Sequence, residues 1–153
     1  MRDVEIAKHF VKATTTILTT MAGLAAVPGT PYVKKDQNAT GDISAIIGVT
    51  GPKNGTISVS FTSDSALGLV TGMLGDDIMD VEQDMQDAVG EVANMISGQA
   101  RASIAEAGLV LHGSTPSVVV GKGHKIHHMT KAVVMAIPFK TPCGDFTVEF
   151  CFA

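Results

Sequence analysis

Between Lys53 and Arg101 the chain contains no lysine and no arginine. The same stretch holds eight of the fifteen acids: Asp64, Asp76, Asp77, Asp80, Glu82, Asp84, Asp87 and Glu91. Such a segment either creates a negative field suited to a partner presenting cations, or is a solvated helix with acids near its N-terminal end. Cysteine is scarce as well. Cys143 and Cys151 are too few for a disulfide scaffold and read as free thiols in a reducing compartment. Net positive charge is missing: 11 Lys+Arg stand against 15 Asp+Glu, a formal charge of −4, which argues against a nucleic-acid partner. No apolar run is long enough to span a membrane; residues 13–27 are uncharged but Thr-rich and shorter than the roughly 20 residues required. Asp3 and Glu5 spoil the basic start of a secretory signal. A cytoplasmic protein without a membrane partner is expected. Hydrophobic residues reach 45% of 153 positions, which excludes a disordered chain and predicts a single domain over 1–153.

Several catalytic signatures are also absent. There is no Gly-x-Ser-x-Gly, His-Glu-x-x-His or Cys-x-x-Cys, so a self-contained hydrolase or metalloenzyme has little support. His124-x-x-His127-His128 has the histidines for a metal but no adjacent cysteine or carboxylate, and Lys122 and Lys125 flank it; it reads as a basic surface loop, and no metal site is expected. Gly121-Lys122-Gly123 lacks the spacing and hydroxyl of a phosphate-binding loop.

Patterning supplies the architecture. Val4, Ala7, Phe10, Val11, Thr14, Ile17, Leu18, Met21 and Leu24 predict an amphipathic helix over 3–25, closed off by Pro28, Gly29 and Pro31. Residues 42–50 and 56–61 alternate, with Ile57, Val59 and Phe61 inward and Thr56, Ser58 and Ser60 outward; Gly51–Gly55 turns them into a hairpin. A short helix over 64–75 follows. A long helical period covers 80–107 and ends at Gly108. Pro116 opens a strand at 117–120, and residues 130–139 and 145–152 form a second hairpin across 142–145, with Phe146, Val148, Phe150 and Phe152 on one face. Helix, proline-led strand and hairpin thus occur twice, a pseudo-twofold internal repeat. It predicts an α+β fold: an antiparallel β-sheet with two long helices packed on one face.

The second long helix separates into two stripes. Val81, Met85, Ala88, Val89, Val92 and Ile96 form the buried one; Asp84, Asp87, Glu91, Asn94, Gly98 and Arg101 follow spacings of three and four on the exposed side. Glu91 and Asn94 lie one turn apart and can reach the same external point. Glu91 also sits beyond the first turn, where the helix dipole no longer accounts for an acid. Gly90 and Gly98 each cost about 1 kcal/mol relative to alanine inside a helix. Either they allow close packing on the first helix or they clear space for a partner; the wheel favours packing for Gly90 and clearance for Gly98.

Asp87-x-x-x-Glu91-x-x-Asn94, followed a helix and loop later by Pro116, resembles the signature of the CheC/CheX/FliY family of chemotaxis phosphatases. Residues Gly90–Gly98 (Gly-Glu-Val-Ala-Asn-Met-Ile-Ser-Gly) are similar throughout to that family's helix motif. So are Pro28-Gly29-Thr30-Pro31-Tyr32, Thr40-Gly41-Asp42 and Val120-Gly121-Lys122-Gly123-His124, and within the family the chain is most similar to the CheX branch. CheC-like members carry the acid–amide pair on both halves. Here Glu-x-x-Asn occurs once, and the corresponding part of the first helix offers His9, Phe10, Lys12 and Ala13.

The resemblance implies hydrolysis of the aspartyl phosphate of a CheY-type response regulator. Asn94 would align the attacking water and Glu91 would pair with the regulator's active-site lysine, these two being the catalytic residues. Asp84, Asp87 and Gly98 are candidates for docking. No cofactor of its own is implied; Mg2+ is expected in the partner regulator, and a homodimer joined through sheet edges is expected. The alternative is a non-enzymatic receiver-binding adaptor or flagellar-switch component on the same fold.

Overall fold

The computed structural model describes residues 1–128 and 130–153. Helix α1 spans Asp3–Ala22, three residues shorter than the periodicity predicts. Gly23 stops it: at φ 62° its N–H turns back to the carbonyls of Leu18 and Thr19, and Leu24 N–H bonds Leu18 O at 3.2 Å. The prolines further on are not needed. Two short strands follow, β1 (Val27–Pro28) and β2 (Tyr32–Lys34), then the hairpin β3 (Ile43–Thr50) and β4 (Gly55–Phe61). Helix α2 (Ser63–Leu74) and a 3-10 turn at Gly75–Asp77 lead into helix α3 (Val81–Glu106). The second half repeats the order with β5 (His112–Gly113), β6 (Ser117–Val120) and the hairpin β7 (Val134–Thr141) and β8 (Gly144–Phe152). Residues 130–133 are not strand, a correction to the predicted start of this hairpin, and its turn is tighter than predicted, pairing Thr141 with Gly144.

All eight strands join one antiparallel sheet with the main order β1–β7–β8–β4–β3–β5; β2 also pairs with β7 and β6 with β3. The short strands of each half therefore close onto the hairpin of the other half, so neither half completes its sheet alone. The α+β architecture is as predicted, with α2 as a third helix beside the two long ones. Ile43, Ala45, Ile47 and Val49 of β3, Ile57, Val59 and Phe61 of β4, and Phe146, Val148 and Phe150 of β8 are buried in one hydrophobic cluster with the helices. Phe10 stacks on Phe150 with centroids 5.1 Å apart, tying α1 to the sheet. Val4 departs from the predicted α1 stripe: it is exposed, and Ile6 and Ala13 are buried instead.

The other sheet face differs from the expectation. Thr56, Ser58 and Ser60 are buried rather than outward. Two loops cross over them, 35–42 and the described part of 121–133, held together by Ala39 N–H to His124 O (2.9 Å) and Ile126 N–H to Gln37 O (2.7 Å). Most of the polar side chains beneath are paired, as burial favours, while Ser58 Oγ and His128 Nδ1 are buried with no hydrogen-bond partner among the described residues. Ser44 Oγ bonds Ser60 Oγ and His124 Nε2, each at 2.6 Å. Glu149 accepts Lys34 Nζ at 2.9 Å and lies 3.1 Å from His128 Nε2, all three side chains being almost wholly buried. Cys151 is buried against Thr130 Oγ1, while Cys143 is exposed; both are free. The histidine segment is thus not simply a surface loop: His127 is exposed, but His124 and His128 pack into the sheet. Among the described residues no group of three or more His, Cys, Asp or Glu could hold a metal ion, and no helix is long and apolar enough to cross a membrane.

Candidate functional site

Helix α3 is positioned at both ends by local chemistry. Asp80 caps it, its carboxylate accepting Gln83 N–H at 3.2 Å. Asp84 reaches back to accept the N–H groups of Met79 (3.0 Å) and Asp80 (3.3 Å), a reciprocal cap. The helix ends at Ala107, and Gly108 turns the chain away at φ 103°. Ala88, Val89, Val92, Ala93, Ile96, Ala100 and Ile104 are buried, so this face is fixed to the core. Val81, expected in the same stripe, is 45% exposed as the first residue of the helix.

The opposite face carries the predicted pair. Glu91 and Asn94 are both exposed, and among the described residues neither forms a hydrogen bond or an ion pair. At 1.5 Å rise per residue they are separated by about 5 Å along the axis. Asp87, one turn before Glu91, is also exposed and accepts Gln83 Nε2 at 2.9 Å. Asp84 is half-buried and occupied by its capping bonds, so its carboxylate is less free than that of Glu91. A Cβ at Gly98 would meet nothing within 4 Å, so the surface past Asn94 is open. A Cβ at Gly90 would lie 3.2 Å from Val118 Cγ2: that glycine does serve packing, but against β6 rather than against α1.

A groove of about 330 Å³ runs beside Glu91, lined by Met73, Leu74, Asp84, Asp87, Ala88 and Glu91. Met79, in the turn that enters α3, is 95% exposed near the same end of the helix. A larger apolar groove of about 520 Å³ lies between α1 and the β1–β2 loop, away from the acid–amide pair.

The repeat shows why only one half presents that pair. Glu91–Ile96 runs exposed, buried, buried, exposed, half-buried, buried, and Glu5–Phe10 repeats this sequence of burial position by position. The counterpart of Glu91 is therefore Glu5, and Lys8 stands where the second half has Asn94. This shifts the correspondence a few residues toward the N-terminus from His9–Ala13, and the first half keeps an acid but no amide.

The carboxylate and carboxamide stand exposed on this helix without partners of their own among the described residues. They can enter another molecule's site, the carboxylate meeting a cation and the amide orienting a water.

Comparison with known proteins agrees with the fold. The family described as chemotaxis phosphatase CheX matches residues 43–140, which include all of α3. The crystal structure of a chemotaxis protein CheX from Desulfovibrio desulfuricans is 61% identical, with a TM-score of 0.92 over 97% of this chain and 99% of that one. The CheY-P phosphatase CheX of Thermotoga maritima is 24% identical over 137 residues, 89% of this chain and 87% of that protein. The crystal structure of a CheX–CheY–BeF3–Mg2+ complex from Borrelia burgdorferi shares the fold, at 21% identity and a TM-score of 0.77 over 96% of this chain and 97% of that one.

Proposed function

The chain belongs to the CheX family of chemotaxis phosphatases, and from that premise we propose that it hydrolyses the aspartyl phosphate of a CheY-type response regulator. The observation that carries this reading is the exposure of Glu91 and Asn94 together, one turn apart and unpartnered, on a helix whose other face is locked into the core. An acyl phosphate is already reactive, so its hydrolysis needs a well-placed water more than a strong base. Asn94 enters the regulator's site and holds that water in line with phosphorus. Water attacks, the bond between phosphorus and the aspartyl oxygen breaks, and inorganic phosphate and the free carboxylate leave. Glu91 pairs with the regulator's active-site lysine and fixes the angle of the docked helix. Mg2+ belongs to the regulator, where it neutralises charge on the phosphoryl oxygens. Asp87 strengthens the negative field that draws the lysine in, and Gly98 leaves room for the regulator's surface.

In this reading the protein acts in the cytoplasm as a homodimer. Exposed Val27, Tyr32 and Val33 on the β1–β2 edge are apolar side chains an edge strand keeps only when covered. Joining two copies there leaves α3, over the other half of the sheet, free to dock; light scattering of the purified chain tests it, a monomeric mass counting against it.

The decisive assay follows the phosphate of a phosphorylated CheY-type regulator at a hundredth of its concentration of this protein. Multiple turnovers per molecule are expected. Decay that responds only to stoichiometric amounts, or not at all, favours a receiver-binding adaptor or flagellar-switch component.

A further inference from the structure

Arg101 ends a 47-residue interval, from 54 to 100, without a lysine or arginine, and it lies on the face that carries the acid–amide pair. Asp87, Asn94 and Arg101 are spaced by seven, so they share one row of α3, about 10 Å apart at each step. The row therefore reads anion, amide, cation from its N-terminal end. Arg101 is only half-buried, and among the described residues it forms no ion pair. Its guanidinium is nevertheless held. Nε donates to Ser97 Oγ at 3.1 Å and Nη1 approaches Leu111 O at 3.5 Å. Its plane lies across β5, where a Cβ at Gly113 would come within 2.8 Å of Nε and Cζ. Nη2 makes no hydrogen bond among the described residues. Ahead of it, Gly98 leaves the helix surface bare.

Building on the proposed phosphatase reading, we infer that Arg101 is a specificity-determining residue that fixes the direction in which the regulator lies along α3, by pairing with a regulator carboxylate on the rim of its phosphorylation site. Glu91 and Asn94 define the docking direction over a single turn, about 5 Å along the axis, and a cation two turns beyond Asn94 extends that polarity along the helix. A face with an acid at one end and a cation at the other accepts one orientation and repels the reverse. Two turns separate Arg101 from Asn94, too far for its anchored fork to reach the phosphoryl group that Asn94 serves. It meets the rim instead, where a carboxylate outside the metal's own ligands complements the guanidinium. A preordered guanidinium loses little freedom on making that contact.

The test measures Kd for a beryllofluoride-activated CheY-type regulator and kcat for its phosphorylated form, using the wild-type protein, Arg101→Gln, Arg101→Lys and Arg101→Glu, each checked for folding by thermal melting. The inference expects Kd to rise roughly ten-fold for Arg101→Gln and further for Arg101→Glu, with kcat falling a few-fold in both as unproductive orientations are admitted, while Arg101→Lys stays within about three-fold of wild type in Kd and kcat. Kd should also depend less on salt in Arg101→Gln. If Arg101→Glu fails to fold, the glutamine and lysine variants decide. An unchanged Kd for Arg101→Gln overturns the inference, as does a lysine variant as weak as the glutamine one, which would reduce the residue to its contacts with Ser97 and Leu111. Wild-type binding without turnover overturns the phosphatase reading and leaves this one standing; no wild-type binding overturns both.

Discussion

On the proposed reading Asn94 acts on a water and Glu91 on a partner's charge, so their removal should have different effects. Asn94→Ala is expected to lower kcat on the order of 100-fold, the scale of losing one well-placed polar group at a reacting centre, with Kd for the regulator little changed. Glu91→Ala is expected to raise Kd roughly ten-fold and to lower turnover too, since the same ion pair anchors and angles the helix. Titration of the activated regulator and phosphate release, measured separately on both variants, check this division; equal losses of both parameters in both variants contradict it. Asp84 illustrates the limit of reading roles from spacing. It falls on the same stripe as Glu91, but its carboxylate is occupied by the N–H groups of Met79 and Asp80. A side chain that stabilises its own helix end and one that awaits a partner look alike until the backbone beside them is placed.

Helix α3 must be rigid to present two side chains at once, and its glycines bear on this in opposite ways. With nothing within 4 Å of its missing Cβ, Gly98→Ala should stabilise the protein by about 1 kcal/mol in urea unfolding, and Gly98→Leu should fold as well yet bind the regulator more weakly. A leucine variant with wild-type affinity would show that no partner surface passes there. The stripes of α3, both hairpins and α2 were legible in the sequence because helical and strand periods survive wherever one face is dry. The end of α1 was legible in principle through Gly23, whose left-handed backbone outweighs the apolar pattern continuing past it. The junction of β3 with α2 was not, since it rests on a contact between distant positions. Asp42 Oδ2 accepts Ser63 N–H at 2.9 Å and Ser63 Oγ at 3.0 Å, and these bonds hold the Asp42 carboxyl below the usual aspartate range, with a smaller contribution from Lys122 and His124. A carboxyl with a depressed folded pKa contributes stability above its unfolded value, near 4, and that contribution is lost as pH falls through the folded value. Asp42→Asn should therefore be less stable than wild type at pH 6, with the difference shrinking below about pH 4 in urea titrations.

The whole molecule depends on each half completing the other's sheet and on two loops sealing the second face. Alternation in β4 and β8 correctly assigned which side chains meet the helices, but it could not reveal that the polar face is covered as well. Thr56, Ser58, Ser60 and Glu149 look solvent-facing to any local pattern, and the long-range crossing of 35–42 with the described part of 121–133 buries them. Glu149, against Lys34 and His128, is the pin of that seal. Truncating it strands a buried lysine, so Glu149→Ala should cost about 3 kcal/mol or more in chemical unfolding, while the fraction that remains folded keeps its phosphatase activity, the site being on the opposite side of the sheet. The pseudo-twofold frame likewise explains a single site: the acid persists as Glu5, but Lys8 stands where an amide would have to be. On the proposed reading, everything functional rests on one carboxamide completing another protein's active site. Single-turnover decay of the phosphorylated regulator, with the phosphatase at saturating excess, separates that chemistry from docking. Wild type should consume the acyl phosphate far faster than the regulator does unaided, and saturated Asn94→Ala should leave it within about two-fold of the unaided rate; a saturated Asn94→Ala complex that decays as fast as wild type contradicts the account.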